Sequence, residues 1–193
     1  MAPSSSPEPA PRSGERAPLL AVARASIAHG LRFGAPLPVA PGDFAPALRE
    51  PRASFVTIRL SGALRGCVGS LEAVRPLVVD VAHNAFGAAF SDPRFPRLGA
   101  GEAAELGVEL SILGPLERLA VGSEAELLRA LRPGRDGLLL QEGAQRATFL
   151  PAVWESMPEP REFVRELRRK AGLTPHHWSG GLEVFRYTVE SVA

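Results

Sequence analysis

Residues 54–69 read SFVTIRLSGALRGCVG, and the reading of this stretch decides the fold. Residues 54–60 alternate and are rich in β-forming side chains, with Val56, Ile58 and Leu60 on one face. Ser61-Gly62 supplies a two-residue turn, so the chain is expected to return as a second strand over residues 63–68. That loop length sets a register with Cys67 opposite Val56 and Arg65 opposite Ile58. Cys67 is then expected on the Val56 face, where a cysteine serves as a small buried hydrophobe. The same residues also carry chemistry. Arg65 and Cys67, two apart on a strand, share a face, and a neighbouring guanidinium favours the nucleophilic thiolate. Gly66 and Gly69 frame the thiol and allow backbone amides to come close to a ligand.

Working outward, the 193-residue chain suits one domain with a core of its own. Its formal net charge of +1 supplies no global field to recruit nucleic acid or an anionic membrane. A single cysteine excludes an internal disulfide and fits a reducing cytoplasm. No segment approaches the length of a membrane span, and no apolar signal-peptide core opens the chain. Residues 1–17, rich in proline, serine and charge, are expected to be a disordered tail, leaving residues 18–193 as the domain. Helical periodicity marks residues 19–31 and 75–90, and residues 161–171 form an amphipathic helix. Ser123 and Glu126 form a capping box that opens a further short helix. Strands are expected at 106–113, 138–141, 147–150 and, as one continuous element, 182–190. Strands not separated by regular crossovers predict an α+β fold whose mainly antiparallel sheet is flanked by helices.

LRGCVG at residues 64–69 resembles the signature of the AMMECR-type domain family, known in bacteria and archaea as AmmeMemoRadiSam system protein A. Val68 stands where the family usually has isoleucine. Other segments agree in order: AAFSDPRFPRL ending at Leu98, GVELSIL, residues 134–138, Phe149-Leu150-Pro151, KAGL ending at Leu173, Trp178 and the last strand. The resemblance covers residues 19–190. It implies one α+β domain with a larger and a smaller lobe, and places the LRGC segment along a cleft. It also implies an association with a Memo-type protein, similar to metal-dependent dioxygenases, and with a radical SAM protein. A shared oxidative or radical modification pathway follows from that association, but no defined reaction and no identified cofactor.

Weighed residue by residue, Cys67 is the candidate nucleophile or ligating thiol and Arg65 the candidate anion anchor, catalytic together if the chain is an enzyme. The structural reading of Arg65 is an ion pair with Asp92 or Glu109. Gly66, Gly69, Asp92, Arg94 and Glu109 are the candidate substrate-binding residues. Asp92 and Arg94, between a helix end and two prolines, read first as a turn in which Asp92 accepts from backbone amides. Glu109 is a general acid or base only if its face lines the cleft. His83 is a poor base, and adjacent His176 and His177 lack metal-ligand spacing, so no metal site is expected from this chain alone. The leading expectation is a cytoplasmic component of a Memo-type and radical SAM-associated system, acting on a small-molecule or peptide substrate. The alternative is a non-catalytic protein-interaction module whose LRGCVG segment is structural or a docking surface. Balanced charge and the lack of an aromatic-basic stripe argue against nucleic acid.

Overall fold

A computed structural model describes residues 13–193, with side chains from Arg16 onward. The part of the expected tail at residues 1–12 lies outside the described residues. Residues 13–17 belong to the first helix, α1 (Ser13–Phe33), so that helix starts earlier than its apolar period suggests. After one helical turn, α2 (Pro46–Arg49), come strands β1 (Ser54–Leu60) and β2 (Ala63–Gly69), then helix α3 (Leu77–Phe90) and strand β3 (Leu106–Leu113). Strand β4 (Glu117–Arg118), helix α4 (Glu124–Ala130), strands β5 (Gly137–Glu142) and β6 (Gln145–Phe149) and helix α5 (Pro160–Lys170) follow. The chain ends in β7 (Glu183–Tyr187) and β8 (Val189–Val192).

Two compact units result, a larger one ending at Leu113 and completed by Glu190–Ala193, and a smaller one of Gly114–Val189. Each holds a four-stranded sheet, ordered β2-β1-β3-β8 in the larger and β4-β7-β5-β6 in the smaller. The β1–β2 and β1–β3 pairs are antiparallel, as are β4–β7, β5–β6 and β5–β7. The fold is therefore α+β. The expected single last strand is two strands in different sheets, divided at Thr188.

The larger core forms where α3 and α1 cover one sheet face. Val56 and Ile58 of β1 and Val108, Leu110 and Ile112 of β3 meet Leu77, Val81, Ala85 and Ala88 of α3, all essentially out of solvent. Burying such side chains stabilises by ~1.5–3 kcal/mol each. Asp80 of α3 fixes this packing from inside. Its fully buried carboxylate accepts from Ser54 N (2.9 Å), Ser54 Oγ (2.7 Å), Ser70 Oγ (2.8 Å), Asn84 Nδ2 (2.8 Å) and Arg75 Nη2 (3.1 Å). One carboxylate thereby ties the start of β1, the exit of β2 and the first turn of α3 together. In the smaller unit, Leu138 and Leu140 of β5 pack with Trp154, Phe163, Val164 and Leu167. The Trp154 ring stacks on Phe163 at 3.8 Å and donates its Nε1–H to Asp136 O at 2.7 Å.

The β1–β2 hairpin departs from the expected register in one place that matters. Its turn has positive φ at both Ser61 (49°) and Gly62 (82°), as a twisted two-residue hairpin requires, and Leu60 pairs with Ala63. Arg59 then pairs with Leu64, but Ile58 pairs with Gly66, so Arg65 is the extra residue of a β-bulge. Beyond it, Thr57 faces Cys67 and Val56 faces Val68. The expected Cys67–Val56 pairing is corrected by one position, which moves every later side chain of β2 to the other face. The reason is steric and electrostatic. Unbulged, β2 would put the Arg65 side chain opposite Ile58 on the core face and bury a cation there. Bulged, it presents Gly66 to α3, where a Cβ would overlap the Ala88 carbonyl oxygen.

Candidate functional site

Because of the bulge, Cys67 stands on the face of the sheet turned away from α3 and is only half-buried. The row across the sheet is Cys67 on β2, Thr57 on β1 and Glu109 on β3. Thr57 Oγ1 donates to Cys67 Sγ at 3.4 Å. Adjacent strands lie ~4.8 Å apart, so Glu109 stands two strands, or about 10 Å, from the thiol. Glu109 Oε1 accepts from Arg59 Nε at 3.0 Å, and both side chains are about half exposed. Such a pair is worth only ~0–1 kcal/mol, so the Glu109 carboxylate is readily released to another partner.

β2 is an edge strand, and the turn after α3 covers the part of its edge at the cysteine. Pro93 and Pro96 forbid continuation of the helix. Asp92 Oδ2 accepts the Cys67 backbone N–H at 2.9 Å, and Arg94 Nη2 donates to the Cys67 carbonyl at 3.3 Å. The two side chains occupy the place of a neighbouring strand, which blocks edge pairing. They also bind each other, with Arg94 Nε at 3.0 Å from Oδ1 and Nη2 at 2.7 Å from Oδ2 of Asp92. The Arg94 hydrogen bonds, joined by the Cys67 and Arg94 amides, hold the buried Asp92 carboxyl well below the usual carboxylate range. The Asp92 bond likewise raises Arg94 above its ordinary value, and Cys67 adds to that rise. Arg94 is thus a cation fixed at the Cys67 backbone, with its side chain 55% exposed.

Arg65 is placed otherwise. Its Nε and Nη2 bind Glu102 Oε1 (2.7 Å) and Oε2 (3.2 Å), and its Nη1 donates to Pro96 O (2.9 Å). The ion pair expected with Asp92 or Glu109 is formed with Glu102 instead, and the cation that reaches Cys67 belongs to Arg94. The space at both glycines is filled by the chain itself: at Gly66 by α3, and at Gly69 by the Phe55 ring. His83 keeps much of its side chain in solvent on α3, and the partial desolvation it does undergo, together with Arg75, lowers its pKa. His177 is bound to Glu142, which also accepts from Ser179. Among the described residues no group of three His, Cys, Asp or Glu is arranged to hold a metal. Nor is any described helix long and apolar enough to cross a membrane.

Thr57, Arg59 and Asp80 are the residues of this arrangement that sequence reasoning passes over. Thr57 and Arg59 become visible only once the bulge brings Cys67 to their face.

The geometry can be set beside known proteins. The AMMECR1 family model matches residues 20–192. The chain belongs to the AMMECR1 family. A relative from Methanothermobacter thermautotrophicus is 38% identical over 162 residues, 81% of this chain and 82% of that protein. A Pyrococcus furiosus relative is 35% identical over 183 residues, 89% of this chain and 84% of its own length. The crystal structure of an uncharacterised Pyrococcus horikoshii protein superposes with a TM-score of 0.86 at 32% identity, covering 93% of this chain and 91% of that one. This AMMECR1-family chain thus shares its α+β fold with that protein across both units.

Proposed function

We propose that this protein is a cytoplasmic component of a Memo-type and radical SAM-associated modification system. The outward face of its first sheet is the working surface. Cys67 is the nucleophilic or ligating thiol there, and Arg94 takes the anion-anchoring role that sequence alone gives to Arg65. Thr57 orients Sγ, and Glu109 stands two strands away as an exchangeable carboxylate. The observation that carries this reading is the bulge at Arg65, which takes the one thiol out of the core face, on a residue whose backbone carbonyl binds the Arg94 guanidinium. A substrate that is a small molecule or peptide with an electrophilic centre and an anionic group fits this surface.

The test compares alkylation of Cys67 by iodoacetate and by neutral iodoacetamide, in native and in denatured protein. Arg94 should raise the iodoacetate-to-iodoacetamide ratio in the native state only, and Arg94→Gln should abolish the preference. A ratio equal in both states removes the anion anchor from the proposal. The pathway part is tested by mixing the protein with a Memo-type and a radical SAM protein from the same organism. A Cys67→Ser variant that folds, binds those partners and supports their reaction as well as the unmodified protein establishes the interaction-module alternative instead.

A further inference from the structure

The smaller unit contains a second feature, independent of the cysteine face. Arg168 of α5 is 1% exposed, yet only one of its three guanidinium nitrogens is engaged. Nη1 donates to Glu124 Oε2 at 2.8 Å and to Pro175 O at 3.0 Å. Nε and Nη2 are fully buried and have no hydrogen-bond partner among the described residues. These two nitrogens carry the parallel N–H pair that receives a carboxylate side-on. Elsewhere in this chain the same pair is filled that way. Arg65 uses it on Glu102, Arg94 on Asp92, Arg132 on Asp136 and Arg186 on Glu117, with Nη2–oxygen distances of 3.2, 2.7, 2.7 and 2.6 Å. All four of those arginines are more exposed than Arg168. The most deeply buried guanidinium of the set is the one whose fork is open. Burying such donors unpaired is destabilising, so the arrangement calls for an acceptor.

Trp178 stands between the fork and a groove. The Arg168 guanidinium carbon lies 5.7 Å from the centre of the Trp178 ring. Trp178 in turn lines a groove of about 420 Å³ together with Arg118, Gly122, Ser179, Gly180 and Glu183. The ring packs at the rim of the smaller unit's core and donates Nε1–H to Gly122 O at 3.0 Å; Ser179 after it is tied to Glu142, and beyond that Gly180-Gly181 have no side chains to resist rearrangement. We infer that this groove is a carboxylate-binding site in which Trp178 swings aside and the ligand's two oxygens bind Nε and Nη2 of Arg168. The ligand is either a small organic acid or the C-terminal carboxylate of a peptide. At about 420 Å³ the groove has room for the rest of either.

The test uses the full chain labelled with ¹⁵N, following the Arg168 Nε–H and the two tryptophan indole signals. The titrants are acetate, an N-acetylated dipeptide acid, its C-terminal amide, inorganic phosphate and chloride at constant ionic strength. Saturable movement of the Arg168 and Trp178 signals by acetate or the dipeptide acid, with the Trp154 indole unmoved, is the expected result. A tighter dipeptide acid identifies a chain terminus, and a tighter acetate a small acid. Arg168→Lys keeps the charge but removes the fork, and should weaken the response by roughly tenfold or more. If that variant does not fold, the wild-type titration decides alone. No saturation with either carboxylate overturns the inference. So does an equal response to phosphate, chloride or the amide, or an undiminished response in folded Arg168→Lys.

Discussion

Replacing Asp92 with asparagine tests whether the turn after α3 holds the edge of β2. The wild-type carboxylate makes four bonds, to Cys67 N (2.9 Å), Arg94 N (3.1 Å), Arg94 Nε (3.0 Å) and Arg94 Nη2 (2.7 Å), and its side chain is 3% exposed. Asparagine offers one acceptor oxygen and turns an NH₂ toward groups that are themselves donors. A buried N–H that loses its acceptor costs ~1–3 kcal/mol. The Arg94 bonds add less, about 1 kcal/mol, because its half-exposed guanidinium regains water. Together these give a loss of roughly 3 kcal/mol, which for a chain of this size lowers Tm by about 6–12 °C. The sign with pH follows from the depressed Asp92 pKa. Its stabilisation is complete above the unfolded-state value of about 4 and fades as pH falls below that toward the folded-state value. The gap between wild type and Asp92→Asn should therefore be constant at neutral pH and narrow in acid. Thermal melts across pH, with hydrogen exchange at the Cys67 amide, measure both effects. Unchanged protection of that amide and a melt within ~0.5 kcal/mol of wild type would refute the edge-capping role, since that is the range of uninvolved surface changes.

Three further outcomes follow. Gly66→Ala forces a Cβ into the Ala88 carbonyl and should destabilise by ~3 kcal/mol or more, seen as a large drop in denaturation midpoint; a neutral effect would contradict the bulged register. Asp80→Asn removes the charge that gathers Ser54, Ser70, Arg75 and Asn84, and should cost ~2–4 kcal/mol by chemical denaturation. Tyr187, the one tyrosine of the chain, is pushed up to about 12 by burial, against which its hydrogen bond with Thr148 Oγ1 acts only in part. Its stabilisation is complete below the unfolded value near 10 and is lost as pH rises through about 12, a change of ~2–3 kcal/mol. Tyrosinate absorbance should accordingly rise late, together with unfolding, and a midpoint near 10 in folded protein would contradict it.

Much of the fold was legible because its elements carry their own periodicity. The alternation of residues 54–60 and the Ser61-Gly62 turn specify the hairpin from local sequence. What was not legible depends on distant partners. The bulge exists because α3 needs a residue without a Cβ against Ala88, and nothing within residues 54–69 records that. Arg65 finds Glu102 on a short turn 37 positions later, so its role could not be read from its neighbours. The last strand looked continuous because Phe185, Tyr187 and Val189 keep alternating while the chain changes sheets at Thr188. Arg168 sits beside Leu167 in an arginine-rich helix, and its burial is set by Trp178 and Pro175 of a later loop. Asp92 and Arg94 were legible as a turn, but not as the groups that bind the backbone of Cys67.

The central claim is that Cys67 faces outward, and its reaction with a thiol reagent tests it most directly. With a single cysteine in the chain, the mass of the intact protein reports one site. The half-buried, outward Sγ should form the adduct in fully native protein, at a rate independent of added denaturant below the unfolding transition. An adduct that appears only as the protein unfolds would return Cys67 to the core face beside Val56 and remove the proposed site.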